Sequence, residues 1–227
     1  MYANNETGSL LPIAEIGLVL KEHPAAYHVD AVQAIGKIPV HPEKLGIDFL
    51  SASAHKFHGP KGIGFLYASS MDFDSYLHGG DQEQKKRAGT ENLAAIVSMV
   101  AALKEDLDHQ AEHYQKLERL KTAFLEEIAG LNYYLNESKH KLPYVFNIGF
   151  PGQKNDLLLL QLDLEGISIS TGSACTAGIV QTSHVLEALY GPYSHRLKES
   201  VRISLSPLNT EKELKQLAQT LKNIIGD

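Results

Sequence analysis

The length, composition and charge of the chain bound its class. With 227 residues, 43% of them hydrophobic, the chain can bury a core as one large domain or two modest ones. No run reaches the roughly 18 consecutive apolar residues of a membrane span, and the first residues lack the basic and apolar regions of a signal peptide, so we expect a soluble, cytoplasmic protein. The net charge of −6, without a basic run, argues against direct contact with nucleic acid.

Cysteine and histidine usage narrows the chemistry further. The single cysteine, Cys175, excludes an internal disulfide and fits a reducing compartment. The histidines are scattered, and no cysteine or carboxylate completes a set with the spacing of metal ligands, so we expect no metal site.

The first part of the chain has the order of helix, strand, crossover and strand that is typical of a parallel α/β sheet. Residues 12–22 predict a mostly buried helix, and residues 26–30 and 45–53 predict two parallel strands. A third strand over residues 62–67 follows a short turn, and we expect it to be antiparallel to its neighbour. Ligands of such sheets collect where the parallel strands end.

Two polar residues stand at these strand ends. Asp30 closes the first strand, and Lys56 follows the second one, directly after Ser53-Ala54-His55. A lysine at the end of a rigid strand suits a Schiff base with pyridoxal phosphate, because desolvation or nearby cations lower the pKa of such an amine. A lone lysine after a strand is usually a solvated surface residue, so it is the shared position of Asp30 and Lys56 that makes them site candidates.

A polar, glycine-bearing segment over residues 78–92 is too long for a simple connection, as is typical of functional loops. Within it, Thr90 is either a functional residue or the N-cap of a helix that begins near Asn92. The sequence over residues 93–128 is helical in pattern, and we place a domain boundary inside it, which gives domains 1–103 and 104–227.

The sequence after this boundary restarts as a separate α/β unit. We predict strands over residues 144–150, 167–170 and 201–205, and helices over residues 156–164, 183–190 and 210–225, the last one opened by a capping box from Thr210 to Glu213. A loop of small residues and two glycines surrounds Cys175. A lone cysteine is normally buried and inert, but a thiol in such a loop is expected to be reachable and therefore reactive.

Six motifs together resemble those of the NifS/IscS-type cysteine desulfurases, pyridoxal-phosphate enzymes of the class V aminotransferase group. In chain order they are Asn4-Asn5-Glu6-Thr7-Gly8, Tyr27-His28-Val29-Asp30-Ala31-Val32-Gln33, Ser53-Ala54-His55-Lys56, Gly59-Pro60-Lys61-Gly62, Arg87-Ala88-Gly89-Thr90-Glu91-Asn92 and Gly172-Ser173-Ala174-Cys175-Thr176. The resemblance covers essentially the whole chain. It implies fold type I of the pyridoxal-phosphate-dependent transferases, with part of the large domain and its mostly parallel sheet followed by a C-terminal α/β small domain.

The resemblance implies how the cofactor, pyridoxal 5′-phosphate, would be held. Lys56 would be the Schiff-base lysine. Asp30 would pair with the pyridinium nitrogen and keep it protonated, so that the ring can accept electrons from the substrate Cα. Asn5 and Gln33 would contact the phenolic oxygen of the ring.

The same resemblance assigns the phosphate and the substrate. Ser53 and His55 would hold the phosphate, and Thr90 would reach the phosphate of the partner subunit's cofactor in a homodimer. Cys175 would attack the sulfur of the cysteine–cofactor adduct, leaving alanine and an enzyme persulfide. Arg202 and Asn5 would bind the substrate L-cysteine, with the guanidinium of Arg202 well shaped for its carboxylate, although a salt-bridged strand arginine is the plainer interpretation of Arg202 alone.

The form of the cysteine motif resembles the desulfurase group whose long mobile loop carries persulfide to a sulfur-acceptor protein, either an iron–sulfur scaffold or a tRNA-thiolation enzyme. One feature departs from the family. The Asn-Asn-Glu motif begins at residue 4, whereas in the family a long segment precedes it. We therefore expect a chain that lacks the N-terminal part of the family sequence, binds the cofactor weakly and turns over poorly alone.

Two other interpretations stay open. The first is a selenocysteine lyase or another class V enzyme, although a plain aminotransferase needs no nucleophilic thiol. The second is a non-catalytic module for dimerisation or for carrying sulfur. Cys175→Ser separates the enzymes, because it would abolish sulfur release from a desulfurase and leave transamination unaffected.

Overall fold

The computed structural model describes residues 1–172 and 182–226. By its internal contacts the chain divides into a first unit, Met1–Tyr2 with Pro12–Gln110, and a second unit, Ala3–Leu11 with Ala111–Asp227. These units differ from the predicted domains 1–103 and 104–227 at two places. The first unit runs on to Gln110, and residues Ala3–Leu11 belong to the second unit because they pair with its backbone, for example through a bridge between Ser9 and Lys141.

The first unit contains a three-stranded mixed sheet. Its elements are α1 (Ile13–Leu20), β1 (His28–Asp30), a 3-10 turn (Glu43–Leu45), β2 (Phe49–Ser53), a 3-10 turn (Ala54–Lys56), β3 (Gly64–Ala68), α2 (Gln82–Lys85) and α3 (Leu93–Asp108). The strand order is β1-β2-β3, with β1 and β2 parallel and β2 and β3 antiparallel. The predicted parallel pair and the antiparallel third strand are therefore confirmed.

The prediction that the first helix is mostly buried is wrong. In α1 only Ile13 and Gly17 are buried, while Leu18 and Val19 are 75% and 78% exposed. Gly17 explains the contact of the buried face, because a Cβ there would lie 2.0 Å from the carbonyl oxygen of Leu45. The helix therefore meets the first unit along one narrow stripe of its surface.

The predicted helical stretch over residues 93–128 forms two helices. α3 ends at Asp108 and α4 spans Gln110–Glu127, with His109 between them in a non-helical conformation. The His109 backbone NH caps α3 by donating to carbonyls of the preceding turn. Within residues 1–172 and 182–226, no helix is both long enough and apolar enough to cross a membrane.

The second unit contains a three-stranded antiparallel sheet of order β4-β5-β6. Its elements are α4, β4 (Tyr134–Leu135), β5 (Val145–Gly149), α5 (Asn155–Leu164), α6 (His184–Tyr190), α7 (Arg196–Glu199), β6 (Ser200–Ser204) and α8 (Glu211–Ile225). The predicted capping box of Thr210 and Glu213 opens α8 and is confirmed. The predicted strand over residues 167–170 is wrong, because only Ser170 pairs, in an isolated bridge to Arg202.

Candidate functional site

The carboxyl edge of the parallel strands carries the central predicted residues. Asp30 is the last residue of β1 and lies opposite Ser51, two residues before the end of β2 at Ser53. Lys56 lies in the 3-10 turn that follows directly. Because both strands run in the same direction, Asp30 and this turn lie at the same edge of the sheet. The Asp30 Oδ1 atom accepts a hydrogen bond of 2.9 Å from the Val32 backbone NH, which fixes the carboxylate.

The turn that carries Lys56 is anchored on both sides. Ala54 and Phe57 are fully buried, and the Ala54 carbonyl accepts hydrogen bonds from the Phe57 and Gly59 backbone NH groups at 3.0 and 2.9 Å. Between these anchors His55 is exposed and Lys56 is half-buried. The fold thus presents an amine and an imidazole on a turn that is held by backbone hydrogen bonds and by two buried side chains.

The turn after β1 carries Gln33 and a residue that the sequence analysis missed. The Ala31 carbonyl accepts from the backbone NH groups of Ala34 and Ile35 at 2.8 and 3.0 Å, which closes the turn. Gln33 is half-buried, and its Oε1 accepts a hydrogen bond of 3.0 Å from the Nζ of Lys37. Lys37 is only 9% exposed. The one signal in the sequence is the spacing of four residues, which places two side chains on one side of a helical turn.

Lys37 faces other charged groups. Burial lowers its pKa to about 8, the neighbouring Lys56 lowers it as well, and Asp106 opposes both. Asp106 is 6% exposed, and its carboxylate lies 3.3 Å from the Nδ1 of His58. The amines of Lys37 and Lys56 and the amide of Gln33 therefore lie close together, near the edge of the sheet that carries Asp30.

Thr90 lies in the polar segment before α3. The alternative that Thr90 is the N-cap is wrong, because α3 begins at Leu93 and the Asn92 side chain accepts from the Ala95 backbone NH at 3.2 Å. Thr90 itself is exposed. A polar side chain that does not cap the helix keeps the functional interpretation of Thr90 open.

The second unit brings Asn5 and Arg202 together. Arg202 is central in β6, and its Nη1 donates to the Asn5 backbone carbonyl at 3.3 Å. The preceding Asn4 shapes this segment, since its Oδ1 accepts from the backbone NH groups of Glu6 and Thr7 at 2.9 and 3.0 Å. Such an Asx turn holds the backbone in a bend without strands or helices.

Glu6 is a second buried residue that the sequence analysis did not single out. It is fully buried, and its Oε2 accepts a hydrogen bond from the Ser183 hydroxyl. A Cβ on Gly172 would lie 3.8 Å from the same oxygen. Glu6 therefore contacts Ser183 and lies near Gly172, while Cys175 lies outside the described residues. Among residues 1–172 and 182–226, no three His, Cys, Asp or Glu side chains are grouped so that they could hold a metal ion.

The profile of the aminotransferase class-V family matches residues 1–217. This chain belongs to the class-V aminotransferase family. A Bacillus subtilis (strain 168) member, provisionally named cysteine desulfurase IscS 1, is 45% identical over 99% of the chain and 60% of its own length. The cysteine desulfurase IscS of Dictyoglomus turgidum is 40% identical over 99% of the chain and 58% of its own length.

A solved structure gives the same result. A NifS-like protein superimposes with a TM-score of 0.89 at 33% identity, over 100% of this chain and 60% of the other. The resemblance to the NifS/IscS type and fold type I of the pyridoxal-phosphate-dependent proteins are thereby confirmed. The chain spans about 60% of the length of the curated relatives it matches.

Proposed function

We propose that this chain carries the reactive residues of a cysteine desulfurase, which takes sulfur from L-cysteine and leaves L-alanine. One observation carries the proposal: Asp30 and Lys56 follow adjacent parallel strands at one edge of the sheet. That edge is where ligands bind in open α/β sheets. The names of the 40–45% identical relatives support the same activity.

The residues of the first unit fit pyridoxal 5′-phosphate. Lys56 offers an amine, Asp30 a carboxylate fixed by a backbone NH, and Gln33 an amide held by Lys37. Ser53 and His55 add a hydroxyl and an imidazole next to Lys56. A phosphate, a phenolic oxygen and a basic ring nitrogen need these kinds of groups.

When bound, pyridoxal phosphate supplies an electron sink for the substrate Cα. Lys56 would bind the aldehyde carbon and move protons, and the Asp30 carboxylate would hold the proton of the ring nitrogen. Gln33 and Asn5 would donate to the phenolic oxygen, and Ser53 and His55 would bind the phosphate. In a homodimer, Thr90 would reach the partner subunit's phosphate.

Cys175 would take the sulfur. Its thiolate attacks the substrate sulfur, an S–S bond forms, and the substrate Cβ–S bond breaks. The electron pair of the broken bond stays on Cβ and takes up one proton there, so that the side chain of cysteine becomes that of alanine and Cys175 becomes a persulfide. Arg202 would bind the substrate carboxylate through its guanidinium. The persulfide would then pass to a sulfur-acceptor protein, an iron–sulfur scaffold or a tRNA-thiolation enzyme, in the cytoplasm.

The test is an absorption spectrum of the purified chain with pyridoxal phosphate, before and after L-cysteine, for the wild type, Lys56→Ala and Lys44→Ala. Lys44 is an exposed lysine of the same unit and serves as the matched control. With pyridoxal phosphate in large excess, because this chain is expected to bind it weakly, we expect a visible band that requires Lys56 and changes on adding L-cysteine. No band in the wild type, or the same band in Lys56→Ala, would contradict the proposal.

Cys175→Ser separates a desulfurase from an aminotransferase. We expect this variant to keep the band and to lose all release of sulfide and alanine in the presence of a reductant. Full alanine formation by Cys175→Ser would contradict the role of the thiol.

A further inference from the structure

The activity proposed above gives Lys37 no role beyond its hydrogen bond to Gln33. The side chain of Lys37 is buried at the edge of the sheet that carries Lys56, and its Nζ lies 3.0 Å from the Oε1 of Gln33. Burial penalises the Lys37 ammonium and the nearby Lys56 adds to this cost, while the Asp106 carboxylate offsets only part of it. Such a cost is expected where a residue serves a site more than the fold.

The fold holds Lys37 in place through its neighbour Gly36. Gly36 has a φ of +79°, and a Cβ there would lie 3.1 Å from the Phe57 Cβ and 3.2 Å from the Asp106 Oδ2. The turn after β1 therefore packs tightly against the anchor of the Lys56 turn and against α3. Lys37 is held where its amine meets Gln33.

The chemistry of the ammonium determines which end of the Gln33 amide it contacts. A protonated lysine has three donors and no acceptor, so the contacted amide atom is the oxygen. The NH2 group of Gln33 is then left as the end that other groups can meet. An NH2 group donates hydrogen bonds and suits an anionic oxygen, whereas an amide oxygen in its place would repel one.

We propose that Lys37 is a positioning residue, which holds Gln33 by its oxygen so that the amide presents only donors to the phenolic oxygen of the cofactor. The part that concerns the cofactor rests on the proposed function. The orientation of Gln33 is a property of the chain alone and is tested separately.

Among residues 1–172 and 182–226, charged or titratable groups lie near this pair on two other elements. Lys56 lies on the 3-10 turn after β2, Asp106 lies on α3, and His58 contacts Asp106. Because the pKa of Lys37 is lowered to about 8, by burial first and then by Lys56, its ammonium loses a proton near that pH. The neutral amine can also accept hydrogen bonds, so its hold on the Gln33 oxygen is expected to loosen as the pH rises.

The first test uses the chain without cofactor. In nitrogen-15 spectra, we expect the side-chain NH2 signals of Gln33 to shift with a midpoint near pH 8. Lys37→Met would abolish this shift, and the exposed control Lys44→Met would leave it unchanged. Lys37→Arg would keep the Gln33 signals at their low-pH positions throughout, because arginine stays charged near pH 8. Gln33 signals that do not respond to pH, or that respond alike in Lys37→Met, would overturn the orientation.

The second test uses pyridoxal phosphate and a double-mutant cycle. A lost hydrogen bond to a charged group weakens binding about tenfold, so we expect Lys37→Met and Gln33→Leu each to raise the Kd for pyridoxal phosphate by about that factor. We expect the double variant to be little weaker than either single one, because both remove the same contact. Independent, additive losses, or no loss for Lys37→Met while Gln33→Leu weakens binding, would overturn the positioning role.

The two failures are distinguishable. A wild-type chain that forms no Lys56-dependent band contradicts the proposed function, and the nitrogen-15 experiment still decides the orientation of Gln33. If the wild type forms the band but the Gln33 signals do not change when Lys37 is replaced, only the positioning role is contradicted.

Discussion

Each of the two units buries a lysine, and the two lysines have different partners. In the second unit Lys121 is 5% exposed, forms an ion pair with Glu137 and lies with its Nζ 5.0 Å from the centre of the Phe146 ring. In the first unit Lys37 is 9% exposed, donates to the neutral amide of Gln33, is repelled by Lys56 and is attracted by the Asp106 carboxylate, and on balance its pKa is lowered. The residue type and the burial are alike, whereas the partners are not.

The difference separates a lysine that supports the fold from one that costs stability. Burial alone would raise the pKa of Glu137, yet its hydrogen bonds with Lys121 and Lys141 lower it, so the folded state stabilises the carboxylate. The pKa of Lys37 is lowered despite Asp106, so the folded state disfavours its ammonium. Replacing each lysine by methionine, which keeps the length and removes the charge, should therefore change stability in opposite directions.

The largest effect is expected for Lys121→Met. Removing one partner of a buried ion pair leaves the other charge uncompensated and typically costs 3–5 kcal/mol, and because Lys141 still contacts Glu137 we expect a loss of about 2–4 kcal/mol. Urea unfolding at neutral pH measures this loss. A change of less than about 0.5 kcal/mol would remove the contrast between the two lysines.

Lys37→Met should instead stabilise the chain at neutral pH. The pKa is about 8 in the folded state against an ordinary value of 10.5, a difference that corresponds to at most about 3 kcal/mol. Between these values the unfolded state binds more protons, so wild-type stability rises with pH and the advantage of Lys37→Met shrinks. We expect a gain of about 1–3 kcal/mol by urea unfolding near pH 7, with Lys44→Met unchanged. A loss of stability in Lys37→Met would contradict the claim that the buried ammonium of Lys37 destabilises the folded state.

Acid should weaken the ion pair between Lys121 and Glu137. The lowered pKa of Glu137 gives stability that is present above its ordinary value of 4.5 and is lost as the pH falls through the folded-state pKa. The difference in unfolding free energy between the wild type and Lys121→Met should therefore decrease by about 1–2 kcal/mol in acid, because the wild type then loses the ion pair that the variant already lacks. Thermal unfolding of both proteins across this range measures it, and a constant gap would contradict the pairing.

The smallest effect is expected for Lys141→Met. The side chain of Lys141 is 31% exposed, and Glu137 keeps Lys121 as its buried partner. Partly exposed pairs contribute little, so we expect a loss of about 0.5–1 kcal/mol in the same urea experiment. A loss as large as that of Lys121→Met would show that burial does not decide the strength of these pairs.

Local sequence pattern was sufficient to predict the part of the site built on strands. The apolar residues before Asp30 and Lys56 predict β1 and β2, and the parallel connection then brings their ends to one edge. The capping box of α8 was predictable for the same reason, since Thr210 and Glu213 act on neighbouring backbone groups.

The elements that depend on distant contacts could not be predicted. Lys37 is buried because Gly36 allows Phe57 and Asp106 to approach, and neither of these is near it in sequence. The segment over residues 167–170 has a strand-like pattern, yet it pairs only at Ser170, because a strand also needs a partner edge along its length. Glu6 was missed because its contact, Ser183, is 177 residues away.

The pKa of Lys37 tests the central claim most directly. Carbon-13 and nitrogen-15 signals of the lysine side chains, followed from about pH 6 to about pH 11 and assigned with Lys37→Met, report each titration separately. We predict that Lys37 titrates near pH 8, well below its ordinary value of 10.5. A Lys37 pKa at or above 10.5 would contradict the claim that this buried lysine is held against the preference of the fold.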